Sequence, residues 1–298
     1  MLRPVIHVRG SAWEIGKAIG KRFRQSIVRY VERRYDLMLD DMKKSGAELS
    51  RRGLRELASE LFSGTLDRSD YSIREIRGVA NGSGVGLDDL MFAISYSDVL
   101  DIVLARTNRQ DNSFRTDSGC TASMIVKDGR IFAGQTWDMP PCTSEELLLV
   151  IKSPEGGPRQ IVLSTVIGLA HCGMNQHGLC IGTNNLSTIE VGCGLSFPFI
   201  IQQALMAQDE QEALSSITTT PRLSGHNYYI VSVGGDGYNV EVTSKAHDVS
   251  QLRSGVFCHA NHYLSKKFVD VSVVYSESSR NRQATMARIL TGDPSGNP

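Results

Sequence analysis

The chain changes texture near residue 115, and that change limits its fold more than any other feature. Before it, apolar residues recur at helical spacing: Ile15, Ile19, Phe23, Ile27, Val31, Tyr35, Met38 and Met42 form one stripe, the mark of a helix with a single buried face. Ser11 stands where an N-cap belongs, so the spacing predicts one long amphipathic helix. Further helices are predicted around residues 54–62, 73–80 and 87–104, the last after the breaker run Asn81-Gly82-Ser83-Gly84. Roughly the first 100 residues therefore read as almost all helix.

After Arg115 short apolar runs alternate with turn residues. Thr121–Val126 and Ile131–Trp137 flank Lys127-Asp128-Gly129-Arg130, and Asp-Gly between two such runs is a strong hairpin signal. Leu147–Ile151 and Gln160–Thr165 flank Pro154-Glu155-Gly156-Gly157-Pro158, Leu179–Thr183 follows a Gln176-His177-Gly178 turn, and Tyr228–Val233 and Tyr238–Val242 flank Gly234-Gly235-Asp236-Gly237. One or two helices are expected within 199–217 and a last one over 279–290. Antiparallel hairpins with helices in separate blocks predict an α+β layered architecture, not a doubly wound parallel sheet.

Lys plus Arg and Asp plus Glu both number 32, so no global field recruits nucleic acid or an anionic membrane, and a small neutral or amphiphilic substrate fits better. No apolar run is long enough for a membrane span, and Met1–Gly10, with Arg3, His7 and Arg9, has no secretory h-region. The protein is expected to be cytoplasmic. Its six cysteines, Cys120, Cys142, Cys172, Cys180, Cys193 and Cys258, follow no disulfide framework, which implies free thiols. Arg33-Arg34, Lys43-Lys44 and Arg51-Arg52 read as solvated helix faces.

Asp117-Ser118-Gly119-Cys120-Thr121-Ala122 lies at the junction of the two halves. A glycine before a cysteine leaves the backbone free to twist, so that the thiol can approach its own preceding carbonyl. A cut after Gly119 would leave Cys120 with a free α-amine beside its thiol. With unperturbed pKa values of about 8 and about 8.5, the amine can take the thiol proton near neutrality without a histidine.

Gly119-Cys120-Thr121 followed by Gly134-Gln135-Thr136-Trp137-Asp138 resembles the nucleophile region of the acyl-coenzyme A:6-aminopenicillanic acid acyltransferase family (peptidase C45). Other segments are similar in the same order: His7-Val8-Arg9-Gly10-Ser11 with Glu14, Gly16 and Gly20; Glu75-Ile76-Arg77-Gly78-Val79-Ala80 through Gly84-Val85 and Asp88-Asp89-Leu90; Gly173-Met174-Asn175-Gln176-His177-Gly178-Leu179 with Asn184; His259-Ala260-Asn261-His262; and Ser279-Arg280-Asn281-Arg282. Ala260 stands where that family has threonine.

The resemblance implies an N-terminal nucleophile hydrolase fold, a four-layer αββα sandwich, made as a zymogen. Autocatalytic cleavage would divide it into a helical segment, 1–119, and a nucleophile-bearing segment, 120–298, that stay together as one domain. It implies a hydrolase or acyltransferase acting on an amide or thioester of a small N-acyl substrate, with no cofactor and no metal. The roles it implies are Cys120 as nucleophile, Asp138 orienting the α-amine, Asn261 facing the oxyanion, and an arginine of the last helix. That arginine is Arg282 by the S-x-x-R count, with Arg280 as the alternative. Supporting positions are Asp117, Thr121, Asn184 (or its neighbour Asn185) and His262. A competing class is a papain-like protease with His259 or His262 as base, and another is a non-catalytic binding protein. On a strand, those two histidines would face opposite sides, which disfavours a shared metal. Oligomeric state stays open.

Overall fold

The computed structural model describes residues 4–46, 49–66, 70–106, 119–139, 141–269 and 275–292. The elements run β1 (Val5–Gly10), α1 (Ala12–Arg22), α2 (Arg24–Lys44), α3 (Arg51–Leu66), α4 (Tyr71–Ser83), α5 (Leu87–Ile94), α6 (Tyr96–Arg106), β2 (Gly119–Lys127) and β3 (Arg130–Asp138). A 3-10 turn follows at Pro141–Glu146. Then come β4 (Leu147–Pro154), β5 (Gln160–Thr165), β6 (Ala170–Asn175), β7 (Cys180–Asn185), α7 (Phe197–Ala204), α8 (Glu210–Thr219), β8 (His226–Val231), β9 (Gly237–Val242), β10 (His247–Leu252), β11 (Gly255–His259) and α9 (Tyr275–Thr291).

The predicted hairpins form as expected, and Asp128 and Gly129 take the positive φ values, 51° and 69°, that the tight β2–β3 turn requires. The predicted long helix is two: Phe23, at φ −111° and ψ 19°, leaves helical geometry between α1 and α2. The stripe survives the break, with Ile15, Ile19, Ile27, Val31, Tyr35, Met38 and Met42 all buried. The predicted 87–104 helix likewise breaks at Ser95, whose hydroxyl is 2.8 Å from that of Ser196. The first segment is also not purely helical. Val5–Gly10 forms an edge strand running parallel to β4, with Val5 opposite Leu149 and Gly10 opposite Pro154.

Two sheets result. Eight strands follow the order β1-β4-β5-β6-β7-β8-β9-β10, and three follow β11-β2-β3. Alternation along β8 assigns the two faces: Tyr228 and Ile230 join the main core, while Tyr229 and Val231 join Ala122 and Met124 between the sheets. Helices α1, α7 and α8 cover the outer face of the large sheet, with α4 packed on α1 and α7, and α9 covers β2 and β11 on the far side. These are the four layers, αββα.

The helical layer is closely packed. A Cβ at Gly16 would lie 1.9 Å from the Glu75 carbonyl oxygen, and one at Gly78 would lie 2.1 Å from that of Trp13, so α1 and α4 cross backbone to backbone. Beneath them Lys152 of β4 reaches Glu75 Oε1 at 2.6 Å and Gln202 Oε1 at 2.5 Å, with both charged side chains fully buried. These contacts tie α4 and α7 to the sheet.

Candidate active site

The β2–β3 register sets the site. It places Gly119 opposite Asp138 and Cys120 opposite Trp137, because the two-residue turn at Asp128-Gly129 fixes every later pairing. Gly119 is extended strand, not one of the glycines with positive φ. Its value is therefore space and not the expected twist: a Cβ there would come within 3.2 Å of Arg282 Nη2 and 3.4 Å of Asp138 Oδ2.

Cys120 is held on both sides of its α-carbon. Its backbone N–H donates to Asn261 Oδ1 at 2.8 Å, and its carbonyl accepts Arg282 Nη1 at 2.6 Å. The Arg282 guanidinium also donates to Thr121 Oγ1 at 2.9 Å and to Asn261 Oδ1 at 2.9 Å. Asn261 Nδ2 donates to the Asn185 carbonyl at 3.0 Å, and the Asn261 backbone N–H donates to Ser279 Oγ at 2.7 Å. That hydroxyl is also 2.7 Å from His262 Nδ1. Ser279 and Arg282 lie one turn apart on α9, so one helix face both fixes Asn261 and reaches the cysteine.

The Cys120 thiol is pushed up to about 12, first by burial and then by the Asp138 charge, against the Asn185 backbone N–H, the Arg282 charge and the Asn261 side chain, which favour the thiolate. The sulfur is thus a protonated thiol at neutral pH. Asp138 is exposed at the rim.

The thiol opens on a cavity of 260 Å³. Leu37, Ile94, Leu100, Trp137 and Phe197 give it apolar walls, and Arg34, Asp40, Asp41, Lys44 and Tyr96 bring polar groups from the helical segment. Its inner wall is a row of rings, with centroid separations of 4.7 Å from Trp137 to His171, 5.4 Å from His171 to Phe197 and 5.0 Å from Phe197 to His226. Burial, then the charges of Arg34 and Arg222 respectively, push His171 and His226 down to about 3, so both are neutral.

Cys120, Asp138, Asn261, Arg282 and Thr121 are brought together, with His262 behind Ser279. Arg280 points to solvent. Asn184 is not at the site: it is buried and accepts Asn227 Nδ2 at 3.3 Å, whereas its neighbour Asn185 lines the cavity, as alternation on a strand requires. Arg34, expected on a solvated face, is 3% exposed, because that side of α2 turns toward the cavity. Asp117 lies outside the described residues.

β11 ends at His259, so the period-two expectation for the two histidines fails, and their rings lie 6.4 Å apart. Neither lines the cavity. His259 is engaged by Glu241 Oε1 at 2.8 Å and the Ala260 carbonyl at 2.9 Å. All six cysteines are free. Among the described residues no helix is long and apolar enough to cross a membrane, and no group of three or more His, Cys, Asp or Glu is arranged to hold a metal ion.

Similarity to solved structures is partial. Two variants of conjugated bile acid hydrolase from Clostridium perfringens are 14% and 12% identical, with TM-scores of 0.35 and 0.29, over 50% and 51% of this chain and 54% and 47% of theirs. Penicillin V acylase from Agrobacterium tumefaciens is 15% identical, with a TM-score of 0.29, over 48% of this chain and 44% of its own. The chain thus spans about half the length of these structures. No curated protein sequence matches it. The sequence profile of the acyl-coenzyme A:6-aminopenicillanic acid acyl-transferase family matches residues 125–295, a stretch that begins after Cys120 and holds Asp138, Asn261 and Arg282. Because that match covers more than half of the chain, the protein belongs to the acyl-coenzyme A:6-aminopenicillanic acid acyl-transferase family.

Proposed function

We propose that the chain is the precursor of an N-terminal nucleophile amidohydrolase or acyltransferase, which cuts itself between Gly119 and Cys120 and then takes an acyl group from a small amide or thioester onto Cys120. One observation carries this reading: the backbone nitrogen and carbonyl of Cys120 are gripped by Asn261 and Arg282 while its thiol opens on a 260 Å³ cavity.

Self-cleavage begins with addition of Sγ to the Gly119 carbonyl carbon. The peptide C–N bond breaks as the thiol proton passes to the departing nitrogen, and water resolves the thioester into a Gly119 carboxylate and a free thiol. The residue so exposed carries an amine with an ordinary pKa of about 8 beside a thiol that it can deprotonate. Asn261 Oδ1 already faces that nitrogen, and Asp138, opposite Gly119 in the ladder, supplies the charge that orients an ammonium.

In turnover the thiolate attacks the substrate carbonyl. The Asn185 backbone N–H and the Asn261 side chain, both of which favour negative charge on the sulfur, would receive the oxyanion, where one donor is commonly worth about 3 kcal/mol of barrier. The ammonium returns its proton to the leaving amine, and water or a second amine resolves the acyl-enzyme. Hydrolysis is the default outcome, since transfer needs water to be excluded. The fragments 1–119 and 120–298 remain one body because β1 of the first is a strand in the sheet of the second. A papain-like mechanism finds no base in His259 or His262, since neither borders the cavity.

Intact-mass measurement tests this. Purified protein should give two fragments, the first ending at Gly119, and Cys120→Ala should stay whole and inactive. An active wild-type protein that is a single uncut chain would sink the mechanism.

A further inference from the structure

The cavity next to Cys120 is lined by a buried guanidinium, that of Arg34, one nitrogen of which has no acceptor. Arg34, 3% exposed on α2, lies against two aromatic faces, 4.8 Å from the Tyr30 ring centre and 5.3 Å from that of Tyr96. Its Nη1 is buried and makes no hydrogen bond to the protein. Of the other charged groups lining the cavity, Asp41 accepts Tyr96 Oη at 2.5 Å, Lys44 pairs with Asp40 at 2.6 Å, and Asp138 stands exposed at the rim. Glu146 is shared: Arg33 Nη1 binds it at 3.0 Å, while the Arg34 charge acts on it more strongly than the Arg33 charge does. Among the described residues no ion pair within 4.0 Å includes Arg34.

Two further groups on the same wall share this condition. Neither ring nitrogen of His171 nor Nε2 of His226 has a protein partner, although both rings border the cavity. A buried guanidinium nitrogen left without an acceptor is costly, and buried polar atoms in native proteins are nearly always satisfied.

We propose that Arg34 and His171, on the wall of the cavity that Cys120 lines, form a carboxylate-binding site that recognises an anionic end of the substrate. A guanidinium offers a carboxylate two parallel N–H donors, and a neutral imidazole adds an N–H of its own. The carboxylate could belong to the amine half, as in an N-acyl amino acid, or to the acyl half, as in a dicarboxylic monoamide. The role of this site in turnover rests on the acyl-transfer reading above, but its binding chemistry does not.

The probes are hexanoate and hexanamide, titrated calorimetrically into the purified protein. Hexanoate should bind about 10- to 100-fold more tightly, the range of a charge-assisted contact, and Arg34→Gln should bring the ratio close to one. Equal binding in the wild type, or an undiminished ratio in Arg34→Gln, overturns the proposal. Should the glutamine variant fail to fold, Arg34→Lys is read in its place: its ratio falls several-fold because an ammonium cannot make the paired contact, and an unchanged ratio overturns the site.

Turnover then assigns the half. N-hexanoylglycine is compared with N-hexanoylglycinamide, and adipic monoanilide with hexanoic anilide. The pair whose kcat/KM ratio depends on Arg34 identifies the side carrying the charge, and dependence in neither pair overturns the role in substrate recognition. If none of these amides reacts, the acyl-transfer reading fails, and hexanoate binding still decides the anion site by itself.

Discussion

The side-chain oxygen of Asn261 accepts the Cys120 backbone N–H at 2.8 Å and Arg282 Nη2 at 2.9 Å. It therefore holds, before any cut, the nitrogen that cleavage would free. With its oxygen committed there, the Asn261 amide nitrogen faces the Asn185 carbonyl and the sulfur, which fixes the orientation of the amide as a whole.

Asn261→Ala removes both ends of that amide, and kcat/KM should fall about 100- to 1000-fold, as for loss of an oxyanion donor. Asn261→Asp separates the two functions, since it keeps an acceptor for the nitrogen and loses the N–H. If the donor matters, Asn261→Asp should be about as impaired as Asn261→Ala when turnover of a chromogenic amide is followed on processed protein. Near-normal rates in the aspartate variant would remove the amide N–H from the mechanism.

Arg282 and Arg280 lie on the same helix and differ in everything they touch. Arg282 bonds the Cys120 carbonyl, Thr121 and Asn261 together, a fork that an ammonium cannot copy. Arg282→Lys should slow both cleavage and turnover by at least about 10-fold, the scale of one lost charge-assisted bond. Arg280→Ala should be within about 2-fold of wild type, as for an ordinary surface change. Gel analysis of processing in the two variants checks the contrast.

The parts of the site that were legible in the sequence are those set by local rules. Asp128-Gly129 dictated the hairpin and hence the pairing of Gly119 with Asp138, and the S-x-x-R element of the family resemblance pointed to Arg282, with helix geometry leaving Arg280 as the alternative. What escaped was set at long range. Val5–Gly10 is short and half-exposed, and its parallel partner β4 is far away in the chain, so nothing local marks it as a strand. Phe23 and Ser95 interrupt helices without disturbing the apolar stripe, and periodicity does not register such a break. Choosing between Asn184 and Asn185 needed the phase of β7 relative to Cys120. Arg34 resembles any solvated arginine until the fold shows which side of α2 it occupies.

The α1–α4 crossing should be intolerant of added volume. Gly16→Ala puts a methyl group 1.9 Å from the Glu75 carbonyl oxygen, where neither backbone can yield without separating the helices. A loss of about 1–3 kcal/mol is expected, the usual cost of overpacking. Glu75→Ala should cost more, about 3–5 kcal/mol, because it leaves Lys152 buried and without its counter-charge. Urea titrations of both variants measure the two losses, and a Glu75→Ala midpoint equal to that of wild type would mean that Lys152 relaxes to another acceptor.

Stability should peak near pH 6.5, where two opposed effects meet. Unfolded histidines take up protons below about pH 6.5, but burial keeps His171 and His226 neutral down to about 3. The unfolded chain then binds more protons, so these two residues raise stability as the pH climbs from about 3 to about 6.5. Asp98 acts the other way. Burial, opposed by Ser224 and reinforced by Asp101, pushes it up to about 8, whereas an unfolded carboxyl ionises near pH 4. Its contribution is complete below about pH 4 and is lost as the pH rises to about 8. Melting temperatures of the parent, Asp98→Asn and His226→Asn between pH 4.5 and 8.5 isolate each share. The advantage of the parent over Asp98→Asn should shrink as the pH rises, and its advantage over His226→Asn should grow up to about pH 6.5. Differences that stay flat across the range would show that these groups titrate in the fold as they do in the open chain.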